Sequence, residues 1–93
     1  MKGKYVIVRT YSAGVHAGIL KSRKDTEVVL TKARRIWYWK GAFTLNEIAN
    51  KGIGEGSKLS DFVPEILLTQ AVEIIPCTKE AQKNLFAFMV FKS

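Results

Sequence analysis

"KYVIVRTYSAGVHAGILKS", residues 4–22, is the stretch on which the fold turns. β-Branched and aromatic residues occupy both parities of residues 4–11, the pattern of a strand covered on at least part of both faces. "SAGV" then supplies small residues and a permissive glycine, as a chain reversal requires. "VHAGILKS" resumes extended character and "RKDT" offers a second polar turn, so two consecutive hairpins are expected.

From Glu27 the segment "EVVLTKARRIWYW" is again rich in strand-forming residues, with Ala33 and two arginines as the place for a bulge or break before the aromatic run. "FTLNEI" carries a helix start. Thr44 and Glu47 form a capping box, Phe43 and Ile48 are spaced as a hydrophobic staple, and Gly52 suits the left-handed C-terminal position, which predicts a short helix over 45–51. "GIGEGSKLSDF" reads as a polar loop, "PEILLTQAVEII" as one apolar strand closed by Pro76, and "KEAQKNLFAFM" as a last helix capped by Thr78. That helix puts Ala81, Leu85, Phe88 and Met89 on one face. The order β-β-β-α-β-α predicts the α+β class: a small, mostly antiparallel β-sheet with two short helices, one domain over residues 1–93.

A chain of 93 residues buries only about two-thirds of its unfolded surface, so its core is modest and its aromatics favour burial against further copies of itself. A homo-oligomer is therefore expected, with a tetramer as the form. The net charge of +7 favours anionic partners. Cys77 is the only cysteine, which excludes an intrachain disulfide and fits a reducing, cytoplasmic compartment. No apolar run approaches the roughly 20 residues that span a bilayer, so no membrane association is expected.

Catalytic chemistry finds little support. One histidine and one cysteine, far apart, match no zinc spacing, and no glycine-flanked nucleophile accompanies His16. Neither enzyme activity, nor a metal, nor a cofactor is expected. "GIGEGSK" follows a helix instead of a strand and opens no capped helix, so it reads as a connector and not as a phosphate loop.

"ARRIWYWKGAF" is the stronger motif. Strict alternation sends Arg35, Trp37 and Trp39 to one side and Arg34, Ile36, Tyr38 and Lys40 to the other, pairing cation with ring on each face. Guanidinium forks match phosphate oxygens and flat rings stack on bases, so the combination suits nucleotides; tryptophans in so small a domain equally suit a core or a subunit interface. His16 has the same two readings, a backbone-bonded core histidine or a ligand contact. Pairing across "SAGV" would let Arg9, Tyr11 and His16 converge near the turn.

The phrases "YVIVRTYSAGVHAG", "EVVLTKARRIWYWKGAFTLNEIA" and "PEILLTQAVEIIPCT" resemble a family of small proteins found mostly in bacteriophages and catalogued as a domain of unknown function, over about Lys4 to Leu85. The resemblance extends to phage immune-evasion sponges, which sequester a cyclic nucleotide signal of CBASS or a related defence system without cleaving it. It implies a non-enzymatic homo-oligomer acting in the host cell cytoplasm, with a cyclic dinucleotide such as 3′,3′-cyclic GMP-AMP as ligand. "RTYSAGVH" and "RRIWYW" become the pocket-forming segments. Arg9, Arg34 and Arg35 are then the phosphate candidates, and Tyr11, Trp37, Tyr38 and Trp39 the stacking candidates. Ser12, His16 and Thr44 are the hydrogen-bonding candidates. The competing reading is a small basic phage protein that binds nucleic acid or a host protein through an extended surface.

Overall fold

In a computed structural model of the chain, which describes residues 1–91, both hairpins form. Strand β1, Tyr5–Thr10, pairs antiparallel with β2, Val15–Lys24, in the register Arg9 opposite Val15. The turn between them is held by Thr10: its backbone N–H donates to the Gly14 carbonyl at 3.0 Å, its hydroxyl donates there too at 2.8 Å, and the same hydroxyl accepts from the Ala13 N–H. Gly14, at φ +83°, occupies the backbone region that only glycine enters freely. Strand β2 pairs with β3, Glu27–Tyr38, across the two-residue turn Asp25–Thr26, where Asp25 takes a positive φ of 55°.

β3 is the hub of the sheet. On one side it pairs with β2; on the other its first half pairs with β5, Val63–Leu68, and its end pairs with β4, Lys58–Leu59. The last strand, β6, Ala71–Pro76, pairs with β1 at the opposite edge. Only Thr69 and Gln70 join β5 to β6, so the sheet has to curl until its two edges meet. That corner is pinned by the Tyr11 N–H donating to the Gln70 carbonyl and the Ala71 N–H donating to the Thr26 carbonyl.

A bulge supplies the bend. Gly18 alone opposes Lys32 and Ala33, and Lys32 takes a positive φ of 49°. The approach there is close: a Cβ on Gly18 would lie 3.0 Å from the Thr31 carbonyl oxygen and 3.1 Å from the Ala33 Cα. Curling divides the apolar residues into two cores. Val6, Val8, Leu20, Val28, Leu30, Ala33 and Leu68 fill the inside of the curl, while Tyr5, Ile7, Val15, Ala17, Ile36 and Leu59 lie on the other face under the helices. Strand β1 is therefore buried on both faces, as its sequence implies.

Helix α1, Leu45–Lys51, has the expected bounds, with Thr44 Oγ1 accepting from the Glu47 N–H and Gly52 following at φ +90°. Phe43 is 95% exposed and makes no staple on Ile48. Helix α2, Lys79–Ala87, is capped by Thr78, whose hydroxyl also donates to the Asn50 carbonyl and so ties the two helices together. It stops two residues short of the expected end. Ala81 and Leu85 are buried and Phe88 packs partly on the core, but Met89 lies beyond the last turn and is exposed. Two further expectations are corrected. The apolar stretch 64–75 is two strands, because Thr69 and Gln70 turn the corner, and the glycine-rich connector contains β4, whose two residues are too few to show a period. The described residues thus form an α+β fold of six antiparallel strands and two helices, and no helix among them is long and apolar enough to cross a membrane.

The close approach at Gly18 is tested by Gly18→Ala. The added methyl meets backbone on two sides, and the variant is expected to lose about 1–3 kcal/mol of unfolding free energy in urea denaturation. An unchanged midpoint would contradict the packing described here.

Candidate functional site

The two adjacent arginines of β3 have opposite fates because residues 34 and 35 face opposite sides of the strand. Arg34 pairs in register with Ala17 on the helix-covered face and is almost fully buried. Its Nε donates to the Ser60 carbonyl at 3.1 Å, and its Nη1 donates to the carbonyls of Leu85 at 3.0 Å and Phe88 at 2.7 Å. These last two are among the carbonyls that α2 leaves unsatisfied at its C-terminus, where the helix dipole also favours a positive charge. The guanidinium carbon lies 4.4 Å from the centre of the Phe62 ring, which in turn packs on Phe86. Burial lowers the Arg34 pKa, against the opposing pull of Tyr5 and Asp61, and the group stays charged. Its Nη2 has no partner among the described residues. Arg34 thus ties β3 to α2 through Nε and Nη1.

Arg35 is exposed, and no carboxylate among the described residues pairs with it. It stands opposite His16, and together they line a cavity of about 170 Å³ with Arg34, Ser60, Asp61 and the apolar side chains of Ala33, Val63 and Ile66. The loop that closes this cavity is stitched to the strand, since the Arg35 N–H donates to Ser60 Oγ and the Ser60 hydroxyl donates to the Asp61 carbonyl. His16 is buried, with Nε2 2.9 Å from the Ala13 carbonyl oxygen. A carbonyl only accepts, so Nε2 carries the proton and Nδ1 of the neutral ring is the acceptor. Desolvation holds the His16 pKa below 6.5; the Ala13 hydrogen bond works against this and the nearby Arg35 charge works with it.

Strict alternation fails two residues further on. Ile36 pairs with Leu59 and Tyr38 with Lys58, leaving Trp37 as the extra residue of a bulge. Consequently Trp37 and Tyr38 share one cation: Lys58 Nζ is 5.1 Å from the Trp37 ring centre, 5.4 Å from that of Tyr38 and 4.7 Å from that of Phe91. Trp37 meets Phe91 edge to face at 5.3 Å and remains 50% exposed; Tyr38 is 44% exposed. Two half-exposed rings beside an ammonium, with Arg35 two and three residues back along β3, have the chemistry that suits a flat, anionic ligand. Trp39 is different: it packs partly against the helix-side core.

The remaining expected residues do not join this surface. Arg9 lies on the face of β1 opposite to Val8, the residue paired with His16, and its Nε donates to Glu73 at 2.9 Å. Tyr11 is exposed at the tip of the turn, and the Ser12 hydroxyl donates to Gln70 Oε1 at 2.7 Å. Thr44 Oγ1 is occupied as the cap of α1. Arg9, Tyr11 and His16 therefore do not converge. A larger groove of about 640 Å³ runs between residues 53–57 and 87–91, but Ser57 and Asn84 in its lining are already hydrogen-bonded within the chain and its charged group, Glu55, is acidic. Cys77 is half-buried, with its thiol pushed up to about 12 by desolvation, which makes it a poor nucleophile.

The model of a domain of unknown function, DUF6948, matches residues 3–85. The chain belongs to this family. No curated protein matches it. In this DUF6948 chain Lys58, Asp61 and Phe91 join the site without having been visible as members of it in the sequence. Lys58 sits in the two-residue strand hidden by the glycine-rich loop, and Phe91 reaches the surface only because the segment after α2 returns to β4, with the Phe91 N–H donating to the Leu59 carbonyl.

Because burial holds folded His16 neutral while the unfolded chain takes up a proton, stability is complete above pH 6.5 and falls as the pH drops from there. Unfolding free energies between pH 7.5 and 5.5 are expected to show this fall, with a slope no steeper than the one-proton limit of about 1.4 kcal/mol per pH unit. His16→Gln should flatten it. An equal slope in both proteins would contradict the buried neutral imidazole.

Proposed function

We propose that this protein is a non-enzymatic sponge that binds and sequesters a cyclic dinucleotide, of which 3′,3′-cyclic GMP-AMP is the reference case. In this reading it works as a homo-oligomer in the cytoplasm of a phage-infected cell, against CBASS or a related defence. The observation that carries the reading is the cluster at the end of β3, where Trp37 and Tyr38 flank Lys58, two and three residues along the strand from the exposed Arg35. Bases stack on the rings, and Lys58 and Arg35 neutralise the two phosphates. The net charge of +7 draws such a ligand in. The resemblance of "YVIVRTYSAGVHAG", "EVVLTKARRIWYWKGAFTLNEIA" and "PEILLTQAVEIIPCT" to a phage protein family associated with such sponges supplies the biological setting.

Self-association follows from the same surface. Phe86, Met89 and Phe91 are exposed around the end of α2, close to the rings of Phe62 and Trp37, and a second copy would cover apolar area that the small core cannot. A tetramer with closed symmetry would pair such patches and place sites near subunit boundaries.

The test is a panel of cyclic dinucleotides and cyclic ADP-ribose-type signals, read by thermal shift and calorimetry, followed by heat release and chromatography of the ligand. Binding of at least one cyclic dinucleotide, its recovery intact, and at least a tenfold loss in Trp37→Ala and Lys58→Ala are expected, each figure being about what one stacked base or charged contact contributes. A ligand with two phosphates gives a shallow salt dependence. No shift with any member of the panel, or a steep salt dependence with tighter binding of DNA or RNA, would replace this reading with the polymer-binding one; altered ligand after release would make the protein an enzyme.

A further inference from the structure

The cavity beside Arg35 has a chemistry that the stacking surface does not explain. At about 170 Å³ it has the liquid volume of about six waters and is well below the several hundred Å³ of a pocket for a whole ligand, so it accommodates one part of a nucleotide. Its lining divides by type. Ala33, Val63 and Ile66 are apolar, which suits the faces of a ring and opposes a phosphate. Asp61 opposes a phosphate as well. The charged groups are Asp61 and two guanidiniums, the exposed Arg35 and Arg34, whose Nε and Nη1 are held by backbone carbonyls, with the neutral His16 imidazole and the Ser60 hydroxyl between acceptor and donor roles.

From this set we infer that the cavity is a guanine-selective base pocket. Guanine is the base with acceptors O6 and N7 side by side, matching the two parallel donors of a guanidinium, and with N1–H and the 2-amino group as adjacent donors, matching a carboxylate. Adenine presents a donor beside N7 where Arg35 needs an acceptor and has no 2-amino group. Asp61 reads the donor edge, Arg35 the acceptor edge, and Val63 and Ile66 contact the ring. Lys58, three residues before Asp61, and Trp37, two residues after Arg35, are then left for the phosphates and the second base. The inference rests on the proposed nucleotide reading and adds to it which base is selected.

The experiment titrates the full chain with 5′-GMP, 5′-IMP and 5′-AMP, and in parallel with cyclic di-GMP and cyclic di-AMP, by calorimetry and by chemical shifts of Asp61, Val63 and Ile66. GMP is expected to bind about tenfold more tightly than AMP, with IMP, which lacks the 2-amino group, in between. Asp61→Asn should bring GMP down to the AMP level in a protein that stays folded, since Asp61 is exposed in a loop. Cyclic dinucleotide binding without a guanine preference would overturn the base pocket and leave the sponge reading standing. A guanine preference among mononucleotides, with no cyclic dinucleotide bound, would keep the pocket and remove the sponge reading. Equal or absent binding of GMP and AMP, or IMP equal to GMP with Asp61→Asn unaffected, overturns the pocket.

Discussion

A buried guanidinium bonded to backbone carbonyls organises this molecule. Arg34 leaves water to bind three backbone carbonyls, two of them at the end of α2, and to lie against the Phe62 ring. Removing a charge from water costs several kcal/mol, and charge-assisted hydrogen bonds to groups that would otherwise be orphaned offset that cost. The consequence is positional. With Arg34 fixed inward, Arg35 has to face outward beside His16, and the loop carrying Ser60, Asp61 and Phe62 is drawn over the strand edge where β4 has ended and β5 has not begun.

Two bulges in β3 complete the arrangement. Lys32 and Ala33 opposite Gly18 bend the strand so that the sheet closes on a core of its own, and the same bend leaves the other face for the helices. Trp37 is the second bulge, and it brings two consecutive aromatics to a single lysine where a regular strand would have separated them. The surface near Arg35 is thus a product of broken alternation as much as of composition.

How much of this was legible depends on range. The hairpins, the capping box of α1 and the double burial of β1 follow from local preferences and appear in the sequence with nearly correct bounds. The corner at Thr69–Gln70 carries no glycine or proline, so the turn is imposed by the pairing of β5 and β6 with distant strands, and a continuous apolar run gives no sign of it. The motif "RRIWYW" stands out in the sequence, but its division into inward Arg34 and outward Arg35 depends on α2, about fifty residues away in the chain. Phe43 was spaced as a staple and yet stands in solvent, because the Thr44–Glu47 cap fixes the helix start without it.

The division of labour between the two arginines is the central claim, and the unfolding free energies of Arg34→Lys and Arg35→Lys measure it directly. Lysine keeps the charge but cannot span the carbonyls of Ser60, Leu85 and Phe88 with one planar fork. Arg34→Lys is expected to lose about 2–3 kcal/mol, and Arg35→Lys to stay within about 0.5 kcal/mol of the parent. Equal stability of the two variants, or a larger loss at Arg35, would contradict the account.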